Sequence, residues 1–221
     1  MHGKIIIIEG LDGCGKSTQV ELLKETFPDC RFLTFPNYNS PSGEIITEYL
    51  QGRIPETDPR RSAYSSAVFY AMDRYISYRK DWYLDDRNHK PMISARYTTS
   101  NMIYQTAKLP RDEWEDYLKW LADFEYHRLG IPRPDAVIFL DMPIEISQKL
   151  LSGRYENTTQ KKDIHESYQD YFRKCYEAAQ YLIHREHWHV LSCYDKNADS
   201  IRKIEEIQEE LVRIIREILE S

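Results

Sequence analysis

The chain has 221 residues, 41% of them apolar, and a formal net charge of −6 at neutral pH. That is enough to bury a sizeable core, and an acidic chain without a Lys/Arg block offers nucleic acid no electrostatic footprint. No apolar run approaches the roughly 18 residues of a membrane-spanning helix, so none is expected.

The four cysteines, Cys14, Cys30, Cys175 and Cys193, show no C-x-x-C spacing and read as reduced thiols of a cytoplasmic protein. Residues 4–9, Lys4-Ile5-Ile6-Ile7-Ile8-Glu9, predict a buried first strand. It runs into Gly10-Leu11-Asp12-Gly13-Cys14-Gly15-Lys16-Ser17-Thr18, where Gly10, Gly15, Lys16 and Ser17 fit G-x-x-x-x-G-K-[ST] between a strand and a helix. This is a phosphate-binding loop. Its glycines let successive N–H groups turn toward phosphate oxygens, and the helix that follows adds its positive dipole end. Residues 10–18 are therefore the expected ATP contacts, with Lys16 on the β- and γ-phosphates and Ser17 a ligand of Mg²⁺.

A helix over about 16–27 follows, with Val20, Leu23 and Phe27 at i, i+3 and i+7, and Pro28 ends it. A strand over 30–35 leads into a turn-rich loop over 36–43 and a short helix to about Gln51. Pro59 can open a helix over about 60–84, which would span about 37 Å. A third strand over 91–95 precedes Arg96-Tyr97, a helix over 98–107 and another over 111–129, stopped by Gly130 and Pro132. Residues 135–141 are nearly all apolar, as in a strand covered on both faces. After a helix over 143–151, residues 152–162 are polar and aperiodic and predict a mobile lid. A helix over 163–185, a strand over 188–192 and an amphipathic helix over 198–219 close the chain. In the last of these, Ile204, Ile207, Leu211, Ile214 and Ile218 are expected to cover a sheet face, since two heptads are too few for a coiled coil. Strands alternating with helices define an α/β fold with a parallel sheet, expected as one domain over 1–221.

Several segments in this order resemble the thymidylate kinases: residues 9–18, Phe35-Pro36-Asn37-Tyr38, Phe69-Tyr70-Ala71-Met72-Asp73-Arg74, Arg96-Tyr97-Thr98-Thr99-Ser100-Asn101, residues 134–141, and the passage around Arg154 and Asp163-Ile164-His165-Glu166. The resemblance covers essentially the whole chain. It implies a phosphate-loop nucleoside monophosphate kinase fold with a five-stranded parallel sheet covered by helices on both faces, and a homodimer. It also implies ATP and dTMP as substrates, with Mg²⁺.

By the same resemblance Tyr70 stacks on thymine and Arg74 donates to its carbonyl edge; they are i and i+4 on one helix. Arg96, just past the third strand, becomes the clamp on the acceptor phosphate, a role that suits a two-pronged donor at the carboxyl end of a parallel sheet. Asn101 and Gln105 read the pyrimidine, and Tyr104 crowds the ribose 2′ position. Asp12 meets the acceptor 3′-hydroxyl and the water shell of the metal, and Phe35 and Pro36 wall the sugar. Lys16, Arg96, Arg154 and Asp12 are the expected catalytic set.

Two departures stand out. The family commonly has Asp-Arg-Tyr where this chain has Ala95-Arg96-Tyr97, so Asp12 first and Glu166 second are expected to carry the metal-orienting work. Position 95 is expected to face polar ligands and to tolerate an aspartate. The loop interior, 11–14, has no arginine, so the catalytic cation is expected from the lid: Arg154, with Lys161 and Lys162 as lesser candidates. A deoxynucleoside kinase, with Glu9 as base, and a nucleotide-binding regulator without activity are the alternatives. A GTP switch would need an N-K-x-D guanine reader, which does not occur.

Overall fold

Four consecutive isoleucines can be buried together only if both faces of their strand are covered, and β1 (Ile5–Glu9) is buried at every residue. The computed structural model describes residues 3–55, 58–155 and 162–220, and side chains outside 151–168. β1 is the centre of a five-stranded parallel sheet of order β2-β3-β1-β4-β5, with β2 at Arg31–Thr34, β3 at Met92–Ala95, β4 at Ala136–Asp141 and β5 at His189–Ser192. In register, Ile8 stands beside Ala95 of β3 and Ile138 of β4. Strand periodicity then divides the core. Ile5 and Ile7 face a layer with Trp82, Tyr97, Tyr117 and Phe172, while Ile6 and Ile8 face Val20, Leu23, Leu211 and Ile215.

The layer beside Ile6 and Ile8 comes from α1 (Lys16–Thr26) and the C-terminal helix, and the opposite layer is built from the middle of the chain. There α2 (Pro41–Leu50) is capped by Ser40, whose Oγ accepts from Gly43 N at 3.1 Å. α3 (Pro59–Ser77) starts at Asp58, which caps it, with proline in the first turn. α3 buries Ser62, Ala63, Ser66, Ala67 and Ala71, small residues that let α5 (Thr98–Tyr104) approach its backbone. The Asn101 amide donates to Ala67 O at 3.1 Å across that contact.

The helix predicted over 60–84 is longer and not uniform: α3 passes into a π-helical turn, Tyr78–Trp82, and then α4, Tyr83–Arg87. The predicted helix over 111–129 is likewise composite, a 3₁₀ turn at Arg111–Glu113, α6 at Trp114–Ala122 and a π-helical turn at Asp123–Arg128.

The C-terminal expectations need two corrections. The segment after β5 first makes a two-stranded antiparallel ribbon, β6 (Tyr194–Asp195) with β7 (Ser200–Ile201). Its turn is held by the Asp195 carboxylate, which accepts from Asn197 N at 2.8 Å and Ala198 N at 3.3 Å, so helical periodicity cannot begin at 198. α9 is Ile204–Glu220. Its buried stripe is Ile207, Leu211 and Ile215, with Ile204 exposed and Ile214 and Ile218 only partly buried. It does pack as a core helix against the β1 face, as the sequence suggested.

The segment predicted as a lid, 152–162, overlaps helix at both ends, because α7 (Ile144–Tyr155) runs further than expected and α8 (Lys162–Glu186) begins at Lys162. Residues 156–161 lie outside the described residues.

Candidate active site

The loop after β1 turns through Gly10 at φ 149°, Gly13 at 87° and Gly15 at 89°. A Cβ on Gly10 would lie 2.6 Å from Cys14 Sγ and 2.8 Å from Leu140 O, so torsion and space both require glycine there. Gly15 is the N-cap of α1 with no side chain closing the helix end, which leaves first-turn N–H groups to the loop. Lys16 is buried, its ammonium donating to Gly10 O at 2.5 Å and Leu11 O at 2.9 Å. Ser17 and Thr18 are exposed. Glu9 is fully buried, and its carboxylate accepts from Gly10 N at 3.1 Å, Thr99 Oγ1 at 2.7 Å and Ser100 Oγ at 2.8 Å. It is a tie between the loop and α5, with both oxygens occupied, which is a poor position for a base.

Arg96 follows β3 directly, in a left-handed backbone conformation at φ 65° that an L-residue adopts only at a cost. Its guanidinium pairs with the Asp12 carboxylate, donates to Ser100 Oγ at 3.3 Å, and has its centre 5.3 Å from the Tyr104 ring centroid. Burial raises the Asp12 pKa, but the nearby Arg96 and Lys16 cations outweigh it and hold the carboxyl below its usual range. The Tyr104 hydroxyl is buried and has no hydrogen-bond partner of good geometry among the described residues. Ala95 is not as expected. It points to the other face of β3, buried in the apolar cluster that holds Ile8, its β1 neighbour in register, and Val20 and Leu23 of α1, so position 95 faces apolar packing and not a polar pocket.

From Asp12 and Arg96 a cavity of about 960 Å³ runs between α3 and α5. Phe35, Pro36, Tyr70, Arg74, Asn101, Tyr104 and Gln105 all line it, so the structure brings together every acceptor-site residue chosen from the sequence. Arg74 and Asn101 are buried. Asn101 donates from Nδ2, Gln105 accepts at Oε1 from Ser66 Oγ at 2.7 Å, and Tyr70 meets Tyr49 edge to face at 6.3 Å between centroids. The opposite amide atoms, Asn101 Oδ1 and Gln105 Nε2, are thereby left toward the cavity. Arg74 donates to Glu125 Oε2 from Nε at 2.7 Å and to Oε1 from Nη2 at 2.6 Å, with Nη1 3.3 Å from Tyr97 O.

Sequence reasoning missed four supports of this site. Glu125 anchors Arg74. Asp73, named only as a neighbour, is buried and accepts from Asn37 N at 2.8 Å and from the hydroxyls of Ser42 at 2.7 Å and Ser40 at 3.2 Å, fixing the loop after the cis Phe35–Pro36 bond. Lys108 lines the far end and donates to Tyr49 Oη at 2.9 Å, Ser62 Oγ at 2.8 Å and Ser66 Oγ at 3.1 Å. Tyr171 of α8 donates to Tyr104 O at 2.6 Å and closes the wall. A buried ionisable residue on an otherwise apolar helix face, such as Glu125 in Phe124-Glu125-Tyr126, was the one available signal. The backbone of Arg154 lies in the last turn of α7 and that of Glu166 in α8, with their side chains outside the described residues. Lys161 lies outside them altogether, and Lys162 begins α8.

A β1–loop–α1 phosphate cradle, the sheet order β2-β3-β1-β4-β5 and a cavity opening beside the cradle define a phosphate-loop nucleoside monophosphate kinase. Comparison with known proteins narrows the class. The sequence profile of the thymidylate kinase family matches residues 8–210. Thymidylate kinase of Mycobacterium tuberculosis is 33% identical over 155 residues, covering 68% of this chain and 71% of the relative. A probable thymidylate kinase of Thermococcus onnurineus is 35% identical, covering 67% and 71%. The Plasmodium falciparum thymidylate kinase is 26% identical over 98% of this chain and 91% of its own. A solved structure of thymidylate kinase from Candida albicans shares the fold, with a TM-score of 0.70 at 20% identity, over 97% of this chain and 92% of that one. The chain belongs to the thymidylate kinase family.

Proposed function

We infer that the family's reaction, ATP-dependent phosphorylation of dTMP to dTDP, runs in this chain between the loop at 10–18 and the cavity that begins at Arg96. The observation that carries this reading is the shared junction: Arg96 and Asp12 form one ion pair at the mouth of the cavity, and Lys16 is close enough to perturb Asp12. An acceptor phosphate held by Arg96 would therefore meet a γ-phosphate held by Lys16. An oxygen of the dTMP phosphate attacks the γ-phosphorus, the bond from that phosphorus to the β–γ bridging oxygen breaks, and ADP leaves. The attacking phosphate is already ionised, so no general base is needed and catalysis rests on alignment and charge stabilisation.

In this reading Lys16 neutralises charge on the β- and γ-phosphates, and backbone N–H groups of residues 10–18 hold the donor. Arg96 clamps the acceptor, with Tyr104 beneath its guanidinium and against the sugar 2′ position. Asp12 aligns Arg96 and meets the 3′-hydroxyl; Phe35 and Pro36 wall the sugar. Tyr70 stacks on the base, Arg74 donates to a base carbonyl, and Asn101 and Gln105 read the remaining edge.

Mg²⁺, when bound with ATP, neutralises β- and γ-phosphate charge. The described residues hold no cluster of three acidic, His or Cys ligands, which fits an ion that keeps several waters and leans on phosphates. The exposed Ser17 hydroxyl is the direct ligand in this proposal, and Asp12 acts through water.

Arg154 is proposed as the lid cation acting on transition-state charge, since the loop interior offers none. A homodimer, a single domain over 1–221, no nucleic-acid partner and a cytoplasmic setting complete the proposal. Four free cysteines support the reducing compartment, and no described helix is long and apolar enough to cross a membrane.

An ADP-release assay over dTMP, dUMP, dCMP, TMP with a ribose sugar, and thymidine tests the substrate reading. dTMP should have the highest kcat/KM and thymidine should be inert. Equal turnover of dTMP and dCMP would refute the assignment of Arg74, and phosphorylation of thymidine alone would refute the monophosphate acceptor.

A further inference from the structure

We propose that Glu125 is a specificity-determining positioning residue, which fixes the hydrogen-bond polarity that the cavity presents to the base. The inference rests on the reading that Arg74 and Asn101 face the base.

Glu125 sits in the π-helical turn Asp123–Arg128, a widened turn of the kind that often marks functional sites, and it is fully buried. Its Oε1 accepts from Arg74 Nη2 at 2.6 Å and Asn101 Nδ2 at 3.1 Å, and its Oε2 from Arg74 Nε at 2.7 Å and Thr98 Oγ1 at 2.9 Å. Four donors converge on one carboxylate, which has about four lone-pair sites and no donor of its own.

The consequence for Asn101 follows from counting. One N–H of its amide goes to Glu125 and the other to Ala67 O at 3.1 Å, so the side chain cannot flip without setting an oxygen against two acceptors. Only Oδ1 remains for the cavity. For Arg74 the same carboxylate takes Nε and one hydrogen of Nη2, and Tyr97 O takes one of Nη1, leaving one hydrogen on each Nη as a donor for a ligand. The pair therefore offers one acceptor beside one donor. Thymine answers with the N3–H donor and the O4 acceptor; cytosine presents an acceptor at N3 and an amine at C4, the opposite polarity at both positions. An acid at position 125 accepts at both oxygens. An amide would place N–H against the N–H of Arg74 or Asn101 whichever way it turned.

The test is the ratio of kcat/KM for dTMP to that for dCMP in Glu125→Gln, Glu125→Asp, Thr98→Val and Asn101→Ala, with thermal melting of each. Glu125→Gln should lower the ratio at least about tenfold, through a higher dTMP KM with kcat within about threefold of wild type. Glu125→Asp keeps the charge and recedes by one methylene; it should fall between the two and serves as the readout if the amide variant does not fold. Thr98→Val removes a donor from Oε2 without touching Asn101, so it should lower the melting temperature and leave the ratio in place. A wild-type ratio in the folded Glu125 variants, with the ratio lost in Asn101→Ala, would overturn the positioning role alone. An unchanged ratio in Asn101→Ala would overturn the base-reading assignment beneath it. A shift in Thr98→Val equal to that of Glu125→Gln would reduce Glu125 to packing.

Discussion

Replacing Arg96 by glycine and by alanine separates its chemistry from its backbone. In the proposed clamp, both variants remove the planar donor from the acceptor phosphate. Two charge-assisted hydrogen bonds, at about 1.5–3 kcal/mol each, set the loss at about 3–6 kcal/mol. That is about 10²- to 10⁴-fold in kcat/KM. Stability should divide the two. At φ 65° any residue with a Cβ is strained, by about 1–2 kcal/mol, and glycine alone escapes. Both variants lose the Ser100 hydrogen bond and the Asp12 ion pair, whose side chains are 23% and 39% exposed; a partly exposed pair contributes only about 0–1 kcal/mol. Extra backbone entropy in the unfolded glycine variant takes back about 0.5–1 kcal/mol. Arg96→Gly should therefore melt close to wild type and above Arg96→Ala by up to about 1 kcal/mol, or about 2–4 °C for a chain of this size. Differential scanning fluorimetry gives the order, and coupled ADP release at saturating ATP gives kcat/KM for dTMP. An alanine variant as stable as the glycine one would refute the strain argument. Either variant retaining more than about a tenth of wild-type kcat/KM would refute the clamp.

The remaining expectations concern the donor side. Lys16→Met should lower kcat at least about 10³-fold with only a small change in melting temperature, because the ammonium bonds atoms of the loop itself, Gly10 O, Leu11 O and Cys14 Sγ; near-normal turnover would contradict the phosphate-loop assignment. The Asp12 pKa is depressed by Arg96 and Lys16 against the effect of burial, so its stability contribution is present above the unfolded carboxylate value of about 3.9 and is lost as pH falls through the lower folded value. In Arg96→Ala that folded value should rise, a change that NMR titration of Asp12 would detect and whose absence would count against the pair. Ala95→Asp, expected from sequence to be tolerated, should instead destabilise by about 1–3 kcal/mol, since the side chain is buried in the apolar cluster shared by Ile8 and the α1 residues Val20 and Leu23; an unchanged melting temperature would show that this side chain reaches a polar environment.

The sequence by itself determined the parts whose physics is local. Four isoleucines can form a doubly covered strand, and glycines at 10, 13 and 15 permit the torsions of a phosphate loop. Residues on one helix share a face by spacing alone, so Tyr70 groups with Arg74, and Asn101 with Tyr104 and Gln105, from the sequence itself. Resemblance then assigned those groups to the acceptor, and all of them line one cavity. Local pattern also misled where a turn intervened: the Asp195 side chain closes a ribbon that hydropathy alone read as the start of α9.

Only the tertiary structure decided which partners those residues hold. Arg74 meets Glu125 across 51 positions, Arg96 meets Asp12 across 84, and Thr99 meets Glu9 across 90. Such pairs leave no periodicity in the chain, because each depends on which strands lie side by side and on how closely small residues let α3 approach α5. The facing of Ala95 is of the same kind. The β3 register beside β1 turns that side chain to the α1 layer, and a one-residue shift would have turned it to the cavity. Spacing fixes what a residue can reach along its own element, whereas packing fixes what it meets across to the next.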